Sequence, residues 1–223
     1  MYLKYKKFMK TILLIGLGKY GSHVAKELGK LNVQVMAIDK SEDNLKNVED
    51  FVTKAIIGNS SDIEFLKTVG INTYDECIVA IGDDFQCSIE TVLNLKELGA
   101  RRITARASLE SQEKILLKIG ADEVVYPEKQ LARWTALHCG ANSIFDYMEL
   151  DDGYAIYEVG VPTKWINKTL SELNLRREYG VTIIGVKIKG KLRFILGPDF
   201  KLIEDERMLV VGKQDDIKKC FKI

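Results

Sequence analysis

Residues 11–39 leave this chain few ways to fold. Thr11 to Ile15 form an apolar run with β-branched members, and Gly16, Gly18 and Gly21 follow at G-x-G-x-x-G spacing. Such a run giving way to spaced glycines reads as strand, tight turn and helix. The first glycine permits the turn, the second lets backbone N–H groups approach a phosphate, and the third lets the helix pack closely on the strand. A pyrophosphate would sit at the helix N-terminus, where unpaired N–H groups and the positive end of the helix dipole favour an anion. The helix continues through Val24, Ala25 and Leu28, and residues 33–38 supply a second buried strand ending at Asp39. Asp39 lies eighteen residues after Gly21. A carboxylate there can accept hydrogen bonds from both ribose hydroxyls of an adenosine, and it would repel a 2′-phosphate despite the adjacent Lys40, so NADP is disfavoured. Glycine triplets also mark ordinary turns; the strand before, the helix after and the acidic residue argue for the nucleotide reading.

The same alternation continues downstream. Ser41 is placed to cap a short helix through Leu45 and Val48, residues 51–57 read as a third strand, and Gly58 and Asn59 end it. A helix over 62–69 leads to a strand over 76–81, whose Cys77, Ile78, Val79 and Ala80 suit burial on both faces. Helix 85–98 closes at Gly99, strand 103–107 follows, helix 109–119 stops at Gly120, and strand 123–126 stops at Pro127. Six strands alternating with helices predict an α/β fold: a Rossmann-like, doubly wound parallel sheet with its ligand at the carboxyl ends of the strands. The candidate site loops at those ends are Gly16, Gly18, Lys19, Tyr20 and Gly21; Asp39 and Lys40; Asn59 between Gly58 and Ser60; Ile81, Gly82 and Asp83 with Asp84; Arg106; and Glu128.

Residues 130–145 read as a helix leaving the sheet, carrying Leu131, Trp134, Leu137 and Ile144. From Glu149 the rhythm changes. Residues 154–161 alternate like a half-exposed strand, 170–175 form a short helix, and 181–187 form another strand. Lys189 and Gly190 make a hairpin turn, 192–196 and 208–212 add two strands, and 215–221 close with a helix. The predicted organisation is a lead-in segment over 1–9, a nucleotide-binding domain with its crossover helix over 10–148, and a small α+β domain over 149–223. The lead-in reads as a short helix, an upstream start or an added extension, and no function attaches to it.

The totals narrow the function class. With 33 Lys and Arg against 32 Asp and Glu, no overall field would gather nucleic acid or an anionic membrane. Cys77, Cys87, Cys139 and Cys220 form no C-x-x-C pair, which suits reduced thiols in cytosol and argues against a zinc site. No apolar run approaches the ~20 residues needed to span a bilayer, so the chain is expected in the cytoplasm. A dehydrogenase would need an acid or base near its hydride acceptor, yet the only histidines are His23 and His138. His23 falls on the cradle helix, to pack or face solvent. His138 sits beside Cys139 on a helix, where adjacent side chains do not meet. Asp83-Asp84 would suit a metal or a solvated turn.

The stretches GLGKYG, AIGDD and ADEVVYPEK, with Asp39, Gly58-Asn59 and Arg106 between them, resemble the RCK domain of potassium-conductance regulators, also called the TrkA N-terminal or KTN domain. The resemblance continues through KWINKTLSELNLRREYGVTIIGVKIKGK into that family's small C-terminal ligand-sensing domain, so that it covers residues 10–223. One copy of each domain resembles the cytosolic regulatory subunit of Ktr-type potassium uptake systems. This implies a non-enzymatic protein that binds ATP, ADP or NAD(H), forms homodimers assembled into an octameric ring, and attaches to an integral-membrane potassium transporter at the inner face of the membrane. Ligand exchange would change the ring's shape. By position, Gly16, Gly18 and Gly21 would cradle phosphate and Asp39 would hold ribose. Lys19 replaces the arginine by which the Ktr group reaches a neighbour's γ-phosphate, keeping the charge but losing the bidentate fork. Asn59 stands where an aspartate is frequent, Arg106 would neutralise a phosphate, and Glu128 matches the glutamate that helps hold a divalent cation, Mg²⁺ or Ca²⁺, between paired subunits. Cyclic di-AMP is implied as a ligand of the C-terminal domain, with Arg176 and Arg177 either meeting its phosphates or forming a solvated helix end. The alternative is a small NAD-dependent oxidoreductase whose catalytic group the sequence does not reveal.

Overall fold

The computed structural model describes residues 9–141 and 143–223; of the expected lead-in, residues 1–8 lie outside them. The chain divides into two compact units that meet between Glu128 and Lys129.

The first unit contains strands β1 Lys10–Ile15, β2 Val33–Asp39, β3 Lys54–Ile57, β4 Glu76–Val79, β5 Ile103–Arg106 and β6 Glu123–Val125. All their pairings are parallel, in the order β3-β2-β1-β4-β5-β6. Between them run α1 Lys19–Leu28, α2 Glu42–Lys46, α3 Ile63–Val69, α4 Phe85–Glu97 and α5 Glu110–Ile119. Because β1 lies between β2 and β4, the chain reverses its direction of travel across the sheet there, which opens a crevice at the carboxyl ends. Successive residues of β1 point to opposite faces: Leu13 and Ile15 join one apolar cluster with Ile38, Cys77 and Val79, while Leu14 joins another with Val35, Ala37 and Ala80. Each such fully buried side chain contributes about 1.5–3 kcal/mol, so the middle of the sheet is fixed before any ligand arrives.

The helix starts follow local capping chemistry. Ser41 caps α2, Asp62 caps α3 and Asp84 caps α4, each side chain accepting from backbone N–H groups in the first turn. α1 begins instead at Gly18, with no side-chain cap and no acidic residue in its first turn. At the opposite end of the sheet, Asp75 accepts from the Thr11 N–H at 2.9 Å and the Thr11 hydroxyl at 3.0 Å, while Arg101 donates to its other oxygen at 2.9 Å.

The third strand is shorter than expected. Its predicted start, Phe51, ends a 3-10 turn over Glu49–Phe51, and the hydroxyl of Thr53 takes the Val35 N–H at 3.0 Å, a side-chain bond where the ladder would otherwise continue.

α6 Pro127–Gly140 starts three residues earlier than expected, with proline at the first helical position where its missing N–H costs nothing. It also ends earlier. The predicted helix to Phe145 breaks at Gly140, and Ile144 and Phe145 open strand β7 Ile144–Glu149. Met148, the expected domain boundary, lies inside that strand and pairs with Ile156.

The second unit holds a sheet of β7, β8 Tyr154–Gly160, β9 Thr182–Ile188, β10 Lys191–Arg193 and β11 Arg207–Lys213, ordered β10-β9-β11-β8-β7 with antiparallel pairings. Tyr157, Val159, Val186, Met208, Val210 and Leu202 form its core. Lys189 and Gly190 both have positive φ, 47° and 79°, as a two-residue type I′ hairpin requires. The single helix expected over 170–175 is two, α7 Leu170–Leu173 and α8 Leu175–Tyr179, because Asn174 takes a left-handed conformation with φ 43° between them. Of the two strands expected after the hairpin, the first shortens to β10, and Ile195 beyond it is 98 % exposed. The terminal helix is α9 Gln214–Phe221.

Candidate functional site

The carboxyl ends of the parallel strands surround a cleft of about 360 Å³, within the range of small-molecule sites. Gly16, Gly18 and Lys19 line it after β1, Asp39 and Lys40 after β2, Gly58 and Ser60 after β3, Ile81, Gly82, Asp83 and Asp84 after β4, and Arg106 at the end of β5. The parallel topology thus gathers residues from the ends of five strands, dispersed over about ninety residues of sequence.

The three glycines are needed for three different reasons. Gly16 has φ +87°, and its N–H bonds to the Ile38 carbonyl at 2.9 Å, which turns the chain off the sheet. A Cβ on Gly21 would stand 1.9 Å from the Gly16 carbonyl oxygen, so this glycine lets α1 close on the turn. A Cβ on Gly18 would meet no atom within 4 Å. Nothing inside the chain requires glycine there; the open space faces the uncapped first turn of α1.

Asp39 is half-buried and already engaged. One oxygen accepts from the Leu17 N–H at 2.5 Å, the other from the Ser41 N–H at 2.8 Å and the Asn44 amide at 3.2 Å. These bonds use three of the roughly four acceptor positions of a carboxylate, leaving about one toward the cleft. Most of the acceptor capacity of Asp39 ties the glycine-rich turn to the end of β2. Lys40 reaches 3.9 Å from Asp84 across the mouth, a weak exposed pair.

Arg106 crosses from β5 into the cleft. Its guanidinium lies over Gly82, where a Cβ would come within 2.2 Å of Nη1, so only glycine admits it. Nη2 donates to Glu128 in the first turn of α6, the Tyr20 ring lies 5.4 Å from Cζ, and the buried Nε has no hydrogen-bond partner. Burial pushes the Tyr20 hydroxyl up, with Arg106 opposing and Glu128 adding. Glu128 is held below its ordinary carboxylate value chiefly by its own backbone N–H, against an opposing effect of burial and with Arg106 adding to the lowering.

Most of the predicted residues therefore meet in one place, with four exceptions, the first being Gly21, which packs under the turn rather than lining the cleft. Asn59 is not part of the cleft lining; its Oδ1 accepts from the Ser61 N–H and hydroxyl, while its neighbours Gly58 and Ser60 face inward. Tyr20 acts behind Arg106, and Glu128 touches the cleft only through Arg106. Among the described residues no three His, Cys, Asp or Glu side chains gather as a metal site, and Glu128 has an arginine as its partner. Ile15, Ile38, Ala80 and Cys87 also line the cleft without having been candidates, whereas Gly58, Ser60 and Asp84 were named with their loops. Asp84 was legible as an acidic helix start. Ser60, whose hydroxyl is paired with Thr91 at 2.8 Å, carries no local signal beyond its loop position, and Cys87 at the start of α4 carries none. His23 is exposed, His138 stacks on Trp134 at 4.9 Å and lies 3.2 Å from the Phe145 carbonyl, and neither lines the cleft. Cys77, Cys87 and Cys220 are buried free thiols, and burial pushes Cys77 up to about 12 and Cys220 up to about 11, which makes them unreactive.

An uncapped glycine-rich helix start, space beside Gly18 and an arginine with an unmet buried donor fit a nucleotide phosphate. Fold and cleft together define a Rossmann-like ligand-binding module followed by a small antiparallel-sheet domain. The TrkA-N domain matches residues 12–127 and the TrkA-C domain residues 154–223. The chain is 37 % identical over 214 residues to Ktr system potassium uptake protein C of Bacillus subtilis (strain 168), covering 96 % of each chain. It belongs to the TrkA-N/TrkA-C (RCK) family that includes the Ktr potassium uptake proteins, a regulatory and non-catalytic family. The oxidoreductase alternative falls with that assignment. Among solved structures, the GsuK channel bound to NAD superimposes with TM-score 0.66 at 20 % identity, over 95 % of this chain and 38 % of that one. GsuK bound to ADP gives 0.52 at 16 % identity over 59 % of this chain and 35 % of the other. The chain thus spans well under half the length of those channel chains. No helix among the described residues is long and apolar enough to cross a membrane.

Proposed function

We propose that this protein is the nucleotide-binding regulatory subunit of a potassium uptake system, and that the cleft at the carboxyl ends of the parallel strands takes an adenosine nucleotide: ATP, ADP or NAD(H). The observation that carries the reading is the cleft itself, where an open Gly18, an uncapped α1 and the Arg106 side chain line the same space. Phosphate would lie against the first turn of α1, Lys19 and Arg106, and the remaining acceptor of Asp39 would take one ribose hydroxyl. Relatives described as bound to NAD and to ADP support that ligand class, and the Ktr relatives support the transport role.

The finer reading is an assembly of homodimers into an octameric ring, held at the inner face of the membrane by an integral-membrane transporter, with bound nucleotide setting the ring's shape. Near-balanced charge speaks against nucleic acid as the partner. A Mg²⁺ or Ca²⁺ ion at Glu128 would need further ligands from a second copy, since among the described residues no three His, Cys, Asp or Glu gather there. Cyclic di-AMP remains the proposed ligand of the second unit, where Arg176 and Arg177 are exposed on α8.

Calorimetry of the intact protein with ATP, ADP, NAD⁺ and NADH, alongside mass spectrometry of the nucleotide that co-purifies, tests this reading. Saturable binding without turnover is expected. Consumption of the nucleotide, or no heat with any of the four, would overturn it.

A further inference from the structure

The Arg106–Glu128 contact is incomplete in an informative way. In an arginine, Nε and Nη2 share one edge of the guanidinium, the edge that grips carboxylates and phosphates with two parallel bonds. Here Glu128 takes only Nη2, and Nε, on the same edge, is buried without a partner. The Arg106 side chain is 16 % exposed and that of Glu128 53 % exposed, so the arginine is fixed in the cleft wall while the carboxylate can move into solvent. Glu128 also has somewhere to go: its own backbone N–H in the first turn of α6 already stabilises the charge. The Tyr20 ring lies 5.4 Å from Cζ, and the missing side chain of Gly82 makes room for Nη1, contacts that do not depend on Glu128.

We propose that Arg106 is an exchangeable anion clamp: Glu128 occupies one prong in the free protein, and a phosphate of a nucleotide in the cleft displaces it to fill both prongs. The inference rests on the nucleotide reading of the cleft. Glu128 is then a competitor for the phosphate site and is released into solvent when that site fills, so nucleotide phosphate and the state of the first turn of α6 are linked. This sets the sign of the effect. A carboxylate that merely positioned Arg106 would favour nucleotide, whereas a competitor opposes it.

The test is calorimetry on the full chain in a chelating buffer without divalent cations, comparing ADP with adenosine, which lacks phosphate. Glu128→Gln is expected to tighten ADP by roughly two- to fivefold, the range for freeing a partly exposed ion pair, and to leave adenosine unchanged. Glu128→Ala repeats the measurement should the glutamine donate a bond of its own. Arg106→Gln should weaken ADP, and in that background Glu128→Gln should have no further effect on ADP. If adenosine and ADP bind the wild type but Glu128→Gln and Glu128→Ala leave ADP unchanged or weaken it, the exchange is wrong and Glu128 is a positioning residue. If neither compound binds the wild type, the nucleotide reading fails, and the clamp with it.

Discussion

At Gly18 and Gly21 the missing side chain answers to different parts of the system. An added Cβ at Gly21 would collide with the Gly16 carbonyl at 1.9 Å, while one at Gly18 would meet nothing within 4 Å, and φ −59° at Gly18 suits any residue. Gly21→Ala is expected to lower stability by about 1–3 kcal/mol or more, as overpacking against backbone does, read as a fall in the urea midpoint. Gly18→Ala should keep the wild-type midpoint and lose ADP affinity by calorimetry. A Gly18→Ala protein that binds ADP normally would remove the phosphate from that turn. The glycines and Asp39 were legible in the sequence because their partners are close in the chain and the spacing itself encodes the turn. The bonds from Leu17, Ser41 and Asn44 to Asp39 were not, since a carboxylate at a strand end looks the same whether it faces ligand or its own loop. Arg106, Tyr20 and Glu128 were each named for their loop positions, but their mutual contact depends on how β5, α1 and α6 converge.

Whole elements were most readable where burial on both faces made an unbroken apolar strand. All six parallel strands were identified, and their order follows from the crossovers. β7 was missed because Ala141, Ile144 and Phe145 fall at helical spacing after Leu137 and extend the apolar pattern of α6 past Gly140, and helix and strand cannot be told apart over so few residues. Its side chains matter to the second core: Ile144 is 4 % exposed, and Tyr147 lies 5.5 Å from Tyr157. A fragment of residues 149–223 should therefore melt well below one of residues 129–223 in thermal circular dichroism. Equal melting temperatures would show that β7 adds nothing. Asp75 makes a second element-scale case. Its bonds from the Thr11 N–H and hydroxyl, then Arg101, hold its pKa below the ordinary carboxylate value. A lowered folded-state pKa stabilises above the ordinary value and loses that contribution as pH falls through the lowered one. The gap in melting temperature between wild type and Asp75→Asn should be full at about pH 7 and close only on acidification below about pH 4. A gap independent of pH would assign Asp75 to packing.

For the whole molecule the open question is what covers α6. Trp134 is 38 % exposed but partly satisfied, donating to Asp146 at 3.0 Å and stacking on His138. Leu131 is 64 % exposed, which makes Leu131→Glu the cleaner probe of the proposed dimer. Light scattering should give at least a dimer at micromolar concentration and an octamer with nucleotide for the wild type, and a smaller species for Leu131→Glu. A monomeric wild type with and without ATP would end the ring proposal. The contact between Gly21 and Gly16 carries a last consequence at this scale. Held by that contact, by the Gly16 bond to Ile38 and by the Leu17 bond to Asp39, the glycine-rich turn has its shape without any ligand. That turn does not have to be ordered on arrival, so it costs little entropy and does not slow encounter. The time the protein needs to register a change in its surroundings is then governed by how quickly the previous occupant leaves, and a tighter site would be a slower sensor.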